Sequence, residues 1–206
     1  MTADPDLRLE RAEIAAALQQ FRPRRCEVGN TSAAAVAIAI GGREFDRRML
    51  LTKRLDRMRA HPGQFALPGG RIDPGESAEE ACVRELREEL GLRVVESEII
   101  GRLDDYPTRS GYTITPFVVW VGDRLDMVAP SVGEVDIVFE VAAAELDTDA
   151  RFVAIAESPR PVVQWPFRDS LVHAPTGAIV HQFREVVLHG RHTRVAHFEQ
   201  PVFAWR

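Results

Sequence analysis

Three glutamates that could bind a metal ion or move a proton stand within one short segment of the chain. At about 100° per residue, a helix would carry Glu85, Glu88 and Glu89 on one side. Carboxylates one turn apart repel each other, and Arg84 alone cannot neutralise three acids, so we expect a further positive charge beside them. Clustered carboxylate oxygens of this kind suit Mg²⁺ or Mn²⁺. The alternative is an acidic helix face that is simply solvated.

The local sequence predicts where that helix begins and ends. Ser77 is followed three residues later by Glu80, which is the pattern of a capping box, and Gly91 stands where a helix commonly ends in a left-handed residue. The spacing therefore predicts a helix over residues 77–90. We interpret Cys82, one turn before the acids, as a packing residue.

The rest of the chain has the mixed periodicity of an α/β protein. We expect one domain over residues 1–206, with residues 1–28 as a helical extension packed on it. The predicted helical segments are residues 7–21 and 142–146. The predicted strands are residues 31–40, 49–54, 65–67, 94–103, 112–121, 138–141, 183–188, 194–198 and 202–205. Four prolines between residues 159 and 177 predict a long surface loop.

Composition excludes several classes of function. The net charge of -5 argues against a protein that binds nucleic acid through its phosphates. The two cysteines are too few for a disulfide framework or a zinc cluster, and no apolar run approaches the length that spans a bilayer. We therefore expect a cytoplasmic protein with no membrane or nucleic-acid partner. The tail histidines have no familiar metal-ligand spacing, and we interpret them as surface or strand residues.

The segment around the acidic helix resembles the signature of the Nudix hydrolases. Gly70, five residues, Glu76, seven residues and then the run Arg-Glu-Leu-Arg-Glu-Glu-Leu-Gly-Leu at 84–92 match it without a gap. The resemblance implies an α/β/α sandwich with a mixed β-sheet, in which a loop, a helix and a loop bind Mg²⁺ or Mn²⁺. It also implies hydrolysis of a phosphoanhydride bond in a nucleoside diphosphate derivative.

The same resemblance implies roles for individual residues. The metal ligands would be Glu85, Glu88 and Glu89 with the backbone oxygen near Gly70, and Arg84 would orient the glutamates. Glu76 would support the helix ends. The general base would be a signature residue such as Glu85 or a downstream glutamate, for which the candidates are Glu134 and Glu140.

The segment before the signature resembles the coenzyme A diphosphatase branch of that family. Residues 50–54, Arg59, Gly63, the Pro-Gly-Gly turn at 68–70 and the segment at 107–111 carry the likeness. It implies cleavage of coenzyme A or acyl-CoA to 3′,5′-ADP and 4′-phosphopantetheine. The residues that we predict to bind substrate are Arg54, Arg59, His61, Gly63 and Arg109.

Two alternatives stay open at this point. Leu55 and Leu67 depart from the pattern of that branch, which leaves ADP-ribose, a dinucleotide or a nucleoside triphosphate as substrates. A non-catalytic module that senses a nucleotide is the other alternative, although all the signature glutamates are present. A homodimer is compatible with the resemblance, but no interface is identified by the sequence.

Overall fold

The computed structural model describes residues 9–26, 31–57 and 63–205. Its helices are α1 (Arg11–Gln20), α2 (Ala78–Leu90), α3 (Ala143–Leu146) and α4 (Thr176–Phe183). Its strands are β1 (Ser32–Arg43), β2 (Asp46–Arg54), β3 (Phe65–Ala66), β4 (Gly69–Arg71), β5 (Ile99–Arg102), β6 (Tyr106–Pro107), β7 (Tyr112–Gly122), β8 (Val135–Ala142), β9 (Arg151–Ile155), β10 (Ser158–Phe167) and β11 (Ser170–His173).

The main sheet is mixed and is built around β1. Its path is β3-β2-β1-β7-β5, while β4 pairs with β1, β6 with β7 and β8 with β2. The β1–β7 pair is parallel, and the other pairs in this sheet are antiparallel. A second, smaller sheet has the order β11-β10-β9. The prediction of a mixed sheet is confirmed.

The two faces of β1 serve two different cores, because side chains alternate across a strand. Ala35, Ala37 and Ala39 belong to the core that contains the buried residues of α2. Ile38 and Ile40 belong to the other core, which contains the buried residues of α1 and α4. Helices therefore cover both faces of the sheet, which is the predicted α/β/α sandwich.

Helix α2 forms where the sequence predicts it. The Ser77 hydroxyl accepts a hydrogen bond from the backbone N–H of Glu80, and the Glu80 carboxylate accepts one from the N–H of Ser77. Gly91 ends the helix with a left-handed φ of 69°. Cys82 is buried, as interpreted from the sequence.

The N-terminal helix packs on the edge of the main sheet. Ile14 and Leu18 are its buried residues, and a Cβ atom on Gly101 of β5 would overlap with Leu18. The glycine therefore lets the helix approach the strand closely. The predicted start at Leu7 lies outside the described residues.

The prediction for the C-terminal part of the chain is wrong. Residues 159–177 are not a long surface loop, because β10 and β11 occupy most of them. The prolines of β10 lie where the strand needs no N–H: Pro159 and Pro161 fall in the irregular stretch of the β9 pairing, and Pro166 lies beyond that pairing.

The predicted strand 183–188 is also wrong, since it lies at the end of α4 and in the π-helical turn that follows (Arg184–Leu188). Every residue of α4 is buried, including the polar Thr176, His181 and Gln182, so no solvent-facing polar stripe reveals the helical period. Residues 194–198 form no strand, and the predicted strand 202–205 is a short 3₁₀ helix, Val202–Ala204. The 94–103 prediction holds only for β5, because a 3₁₀ helix over Glu96–Glu98 precedes it.

Two properties of the whole chain follow. Residues from α1, the main sheet and the C-terminal part share one hydrophobic core. This shared core supports the single-domain organisation, which stays a prediction. Within the described ranges, the helices are too short or too polar for any of them to cross a bilayer.

Candidate active site

The three glutamates of α2 differ in their distance from solvent. The Glu89 side chain is 5% exposed, that of Glu85 is 14% exposed and that of Glu88 is 50% exposed. Burying an ionised carboxylate is costly unless a partner compensates for its lost hydration. The arrangement is therefore not the solvated acidic face that was the alternative prediction.

The buried glutamates lie against the glycine turn at the start of β4. The backbone N–H of Gly69 donates to Oε2 of Glu89 at 3.1 Å. A Cβ atom on Gly70 would overlap with the carboxylate of Glu85, and one on Gly69 would overlap with the carbonyl oxygen of Ala35. The two glycines thus bring the backbone into direct contact with the carboxylates and with β1.

Arg84 connects the glutamates with the loop that precedes the helix. Its guanidinium donates to the Glu76 carboxylate at 2.8 and 3.0 Å, to Glu85 at 2.7 Å and to Glu88 at 3.1 Å. It also donates to the carbonyl oxygen of Arg71 at 2.9 Å. Glu76 in turn accepts a hydrogen bond from the backbone of the loop. One cation therefore fixes the side chains of three acids, which agrees with the orienting role predicted for it.

Burial dominates the acidity of the two inner glutamates. It raises the pKa of Glu89 to about 7, assisted by the charges of Glu85 and Glu134 and opposed by the Gly69 hydrogen bond and by Arg54. Burial also raises the pKa of Glu85, which the Arg84 hydrogen bond opposes. Glu89 lies 3.7 Å from Nη1 of Arg54 at the end of β2. Such perturbed acids are a frequent mark of functional sites.

The donor set of this region fits a hard divalent cation. Carboxylate oxygens are the ligands that Mg²⁺ and Mn²⁺ prefer, and a cation would offset the burial that raises the pKa of Glu85 and Glu89. Glu85, Glu88 and Glu89, with the backbone oxygen of Gly70, are the residues that would hold it. In the described part of the chain, no three acidic, histidine or cysteine side chains already converge as a complete metal site. Metal binding would therefore require Glu85 and Glu88 to share or exchange their contacts with Arg84.

The two downstream base candidates differ in their relation to the helix. Glu134 is exposed, and its charge contributes to the raised pKa of both Glu85 and Glu89. Glu140 is exposed on β8, where its backbone pairs with Leu50. The electrostatic influence of Glu134 on both inner glutamates favours Glu134 over Glu140 as the downstream candidate.

The predicted substrate-binding residues fall in different places. Arg54 lies beside the helix acids. Gly63 has a left-handed φ of 64°, and a Cβ atom there would overlap with the Asp56 carboxylate. Arg59 and His61 lie outside the described residues. Their roles in binding stay predictions.

Arg109 is held by residues of the C-terminal part. Its guanidinium makes two hydrogen bonds of 3.2 Å and one of 2.7 Å with the buried Glu199, and it lies over the ring of Trp205 at 5.0 Å. Nothing local in the sequence indicates this pair, because its two members are 90 residues apart. Contact between Arg109 and substrate stays a prediction. A substrate phosphate would have to share the guanidinium with Glu199.

Sequence reasoning missed the attachment of the Glu134 loop to α2. The backbone N–H of Ser131 donates to the carbonyl oxygen of Glu89 at 2.8 Å, and that of Leu55 donates to the carbonyl oxygen of Glu134 at 3.3 Å. These contacts join loops that are distant in sequence, and no local pattern predicts them.

Comparison with known proteins gives a consistent result. The chain is 36% identical over 112 residues to Nudix hydrolase 3 of Caenorhabditis elegans, covering 53% of this chain and 45% of that protein. It is 40% identical over 129 residues to the uncharacterized Nudix hydrolase NudL of Enterobacter sp. (strain 638), covering 62% of this chain and 66% of that protein. The matched stretches therefore span less than two thirds of these relatives' lengths.

A solved structure shares the fold. A MutT/nudix family protein from Enterococcus faecalis aligns with a TM-score of 0.50 at 15% identity, over 87% of this chain and 68% of that chain. The sequence model of the NUDIX domain matches residues 31–168. That range contains the glycine turn, the acidic helix and the whole main sheet, and it is more than half of the chain. The protein therefore belongs to the NUDIX domain family.

Proposed function

We propose that this chain hydrolyses a phosphoanhydride bond in a nucleotide derivative with the help of Mg²⁺ or Mn²⁺. One observation carries the proposal: the carboxylates of Glu85 and Glu89 are buried against the Gly69-Gly70 turn, where burial raises the pKa of both. A divalent cation would compensate the negative charge of these buried carboxylates, and it would also bind the phosphates of a substrate.

The residues of the chain have separate tasks in this reaction. Glu85, Glu88 and Glu89 would hold the ion, and Arg84, which donates hydrogen bonds to Glu85 and Glu88, would orient these two side chains toward it. A bound divalent ion supplies positive charge to the diphosphate oxygens and lowers the pKa of water. Glu85 or Glu134 accepts a proton from the attacking water. The water oxygen joins one phosphorus, the bond from that phosphorus to the bridging oxygen breaks, and the other phosphate leaves.

Coenzyme A or an acyl derivative is the substrate that we propose, with 3′,5′-ADP and 4′-phosphopantetheine as products. The resemblance of the segment before the signature supports this choice. Arg54, 3.7 Å from Glu89, is placed where a guanidinium can reach a substrate phosphate, which fits every candidate substrate. Leu55 and Leu67 favour the second candidate, a hydrolase of ADP-ribose, a dinucleotide or a nucleoside triphosphate. The cytoplasmic location and a homodimer stay predictions.

A substrate panel separates these candidates. The protein is incubated with Mg²⁺ or Mn²⁺ and, separately, with coenzyme A, ADP-ribose, NADH and nucleoside triphosphates, and the products are identified by mass. Release of 4′-phosphopantetheine is the expected result. Cleavage of another compound alone would retain the hydrolase and reject coenzyme A. Cleavage of none would favour the non-catalytic, nucleotide-sensing module.

A further inference from the structure

An open groove of about 580 Å³ lies at the end of the β2–β8 pair. One wall is formed by Leu55, Asp56 and Arg57, which follow β2. The opposite wall consists of residues from the segment that leads into β8: Pro130, Val132, Val135 and Asp136. We refer to these seven residues as the β2–β8 groove. Its volume lies within the range of small-molecule sites in proteins.

The groove lies next to the candidate active site along the β2–β8 pair. Val135 is the pairing partner of Arg54, whose guanidinium lies 3.7 Å from the Glu89 carboxylate. The far wall is attached to the acidic helix because the N–H of Ser131 donates to the carbonyl oxygen of Glu89 at 2.8 Å. A ligand whose diphosphate lies beside Glu89 and Arg54 would therefore have its next atoms at the mouth of the groove.

The lining of the groove has two chemical characters. Leu55, Pro130, Val132 and Val135 offer apolar surface, and the Val132 side chain is largely unprotected, with the residue 84% exposed. Asp56 and Asp136 add carboxylate acceptors to the lining, and Arg57 adds guanidinium donors. Arg57 also joins the walls through a hydrogen bond of 3.4 Å to the carbonyl oxygen of Val132.

These features match a flexible chain in which apolar carbons alternate with amide groups. The apolar walls would cover the carbons, and amide N–H and C=O groups would find the carboxylates and the guanidinium. A second nucleoside fits less well, because none of the seven groove residues is aromatic and only the Arg57 guanidinium could stack on a base.

We propose that the β2–β8 groove binds the amide-containing arm of the substrate, the half that leaves as a phosphorylated pantetheine chain. The inference rests on the proposed function and deepens it, because it assigns substrate selection to the loop before β8 as well as to the segment before the signature. Val132 is the residue whose exposed side chain the arm would cover.

The first test is steady-state kinetics with coenzyme A on Val132→Asp. A carboxylate here replaces apolar contact and would have to be desolvated by the arm, so KM should rise about tenfold while kcat changes little. Val132→Ala should give a smaller rise in KM. Met127→Asp is the matched control, since Met127 is 66% exposed and is not among the groove residues. Cleavage of coenzyme A with an unchanged KM in Val132→Asp would overturn the groove proposal and leave the proposed function intact.

The second test does not depend on turnover. Binding of 4′-phosphopantetheine is measured by calorimetry with wild type, Val132→Asp and Met127→Asp, and thermal melts check that all three are folded. Binding by wild type and Met127→Asp that weakens about tenfold in Val132→Asp supports the groove, even if coenzyme A is not cleaved. No binding by wild type would overturn the groove proposal, whatever substrate the protein hydrolyses.

Discussion

Replacing Glu89 by glutamine should make the metal-free protein more stable at neutral pH. The folded-state pKa of Glu89 is about 7, against an ordinary value of 4.5, because the carboxyl group is buried. A raised pKa means that the folded state binds the proton more tightly than the unfolded state does. The stabilisation that protonated Glu89 adds to the free energy of unfolding is therefore fully present below pH 4.5 and is lost as the pH rises through 7.

The magnitude follows from the pKa difference. Each pKa unit corresponds to about 1.4 kcal/mol, so ionisation of Glu89 should cost the folded state about 3 kcal/mol above pH 7. Glutamine has no such titration and can keep the hydrogen bond from the Gly69 N–H. The stability of Glu89→Gln minus that of wild type should thus increase by about 3 kcal/mol between pH 4.5 and pH 8.

Urea denaturation in the presence of EDTA measures this difference at a series of pH values. Taking the difference between the two proteins cancels the titration of groups that both contain. Glu79→Gln is the control for a Glu-to-Gln change on the same helix outside the candidate site. Excess Mg²⁺ should stabilise wild type more than Glu89→Gln at pH 8, because a cation compensates for the ionised carboxylate. A difference that stays constant from pH 4.5 to pH 8 would refute the reasoning.

Three further substitutions have defined outcomes. Gly70→Ala places a methyl group against the Glu85 carboxylate and should lower kcat about 100-fold with little change in the circular dichroism spectrum; normal turnover would argue against the need for close contact. Ser77→Ala removes the N-cap of α2 and should cost about 1 kcal/mol of unfolding free energy, measured as a lower urea midpoint. Arg84→Lys keeps the charge but loses the fork that contacts three acids, so initial rates at saturating Mg²⁺ should fall at least about tenfold, and wild-type rates would show that charge alone suffices.

The acidic helix could be predicted from the sequence because its signals are local. A hydroxyl at the N-cap, a glutamate three residues later and a glycine after the last turn act within α2 itself. The alternating faces of β1 follow equally from local order, since small and branched apolar residues succeed one another along the strand. The helix and the central strand therefore needed no tertiary information.

The C-terminal part could not be predicted in the same way. In α4 polar and apolar residues are buried alike, so neither period stands out. The prolines of β10 are tolerated only because of where the β9 pairing is irregular or ends. The pairing of Arg109 with Glu199 and the attachment of Ser131 to α2 join residues far apart in sequence. Such contacts are properties of the fold and leave no local pattern.

The most direct test of the central claim compares the turnover of wild type, Glu89→Gln and Glu79→Gln. Each protein is incubated with Mg²⁺ and with the compound that wild type cleaves best, and the products are followed by mass. We predict that wild type and Glu79→Gln release the two phosphorylated halves at similar rates, and that Glu89→Gln is slower by orders of magnitude while folded. Equal turnover by Glu89→Gln and wild type would contradict the account, because the buried acids of α2 would then have no part in the reaction.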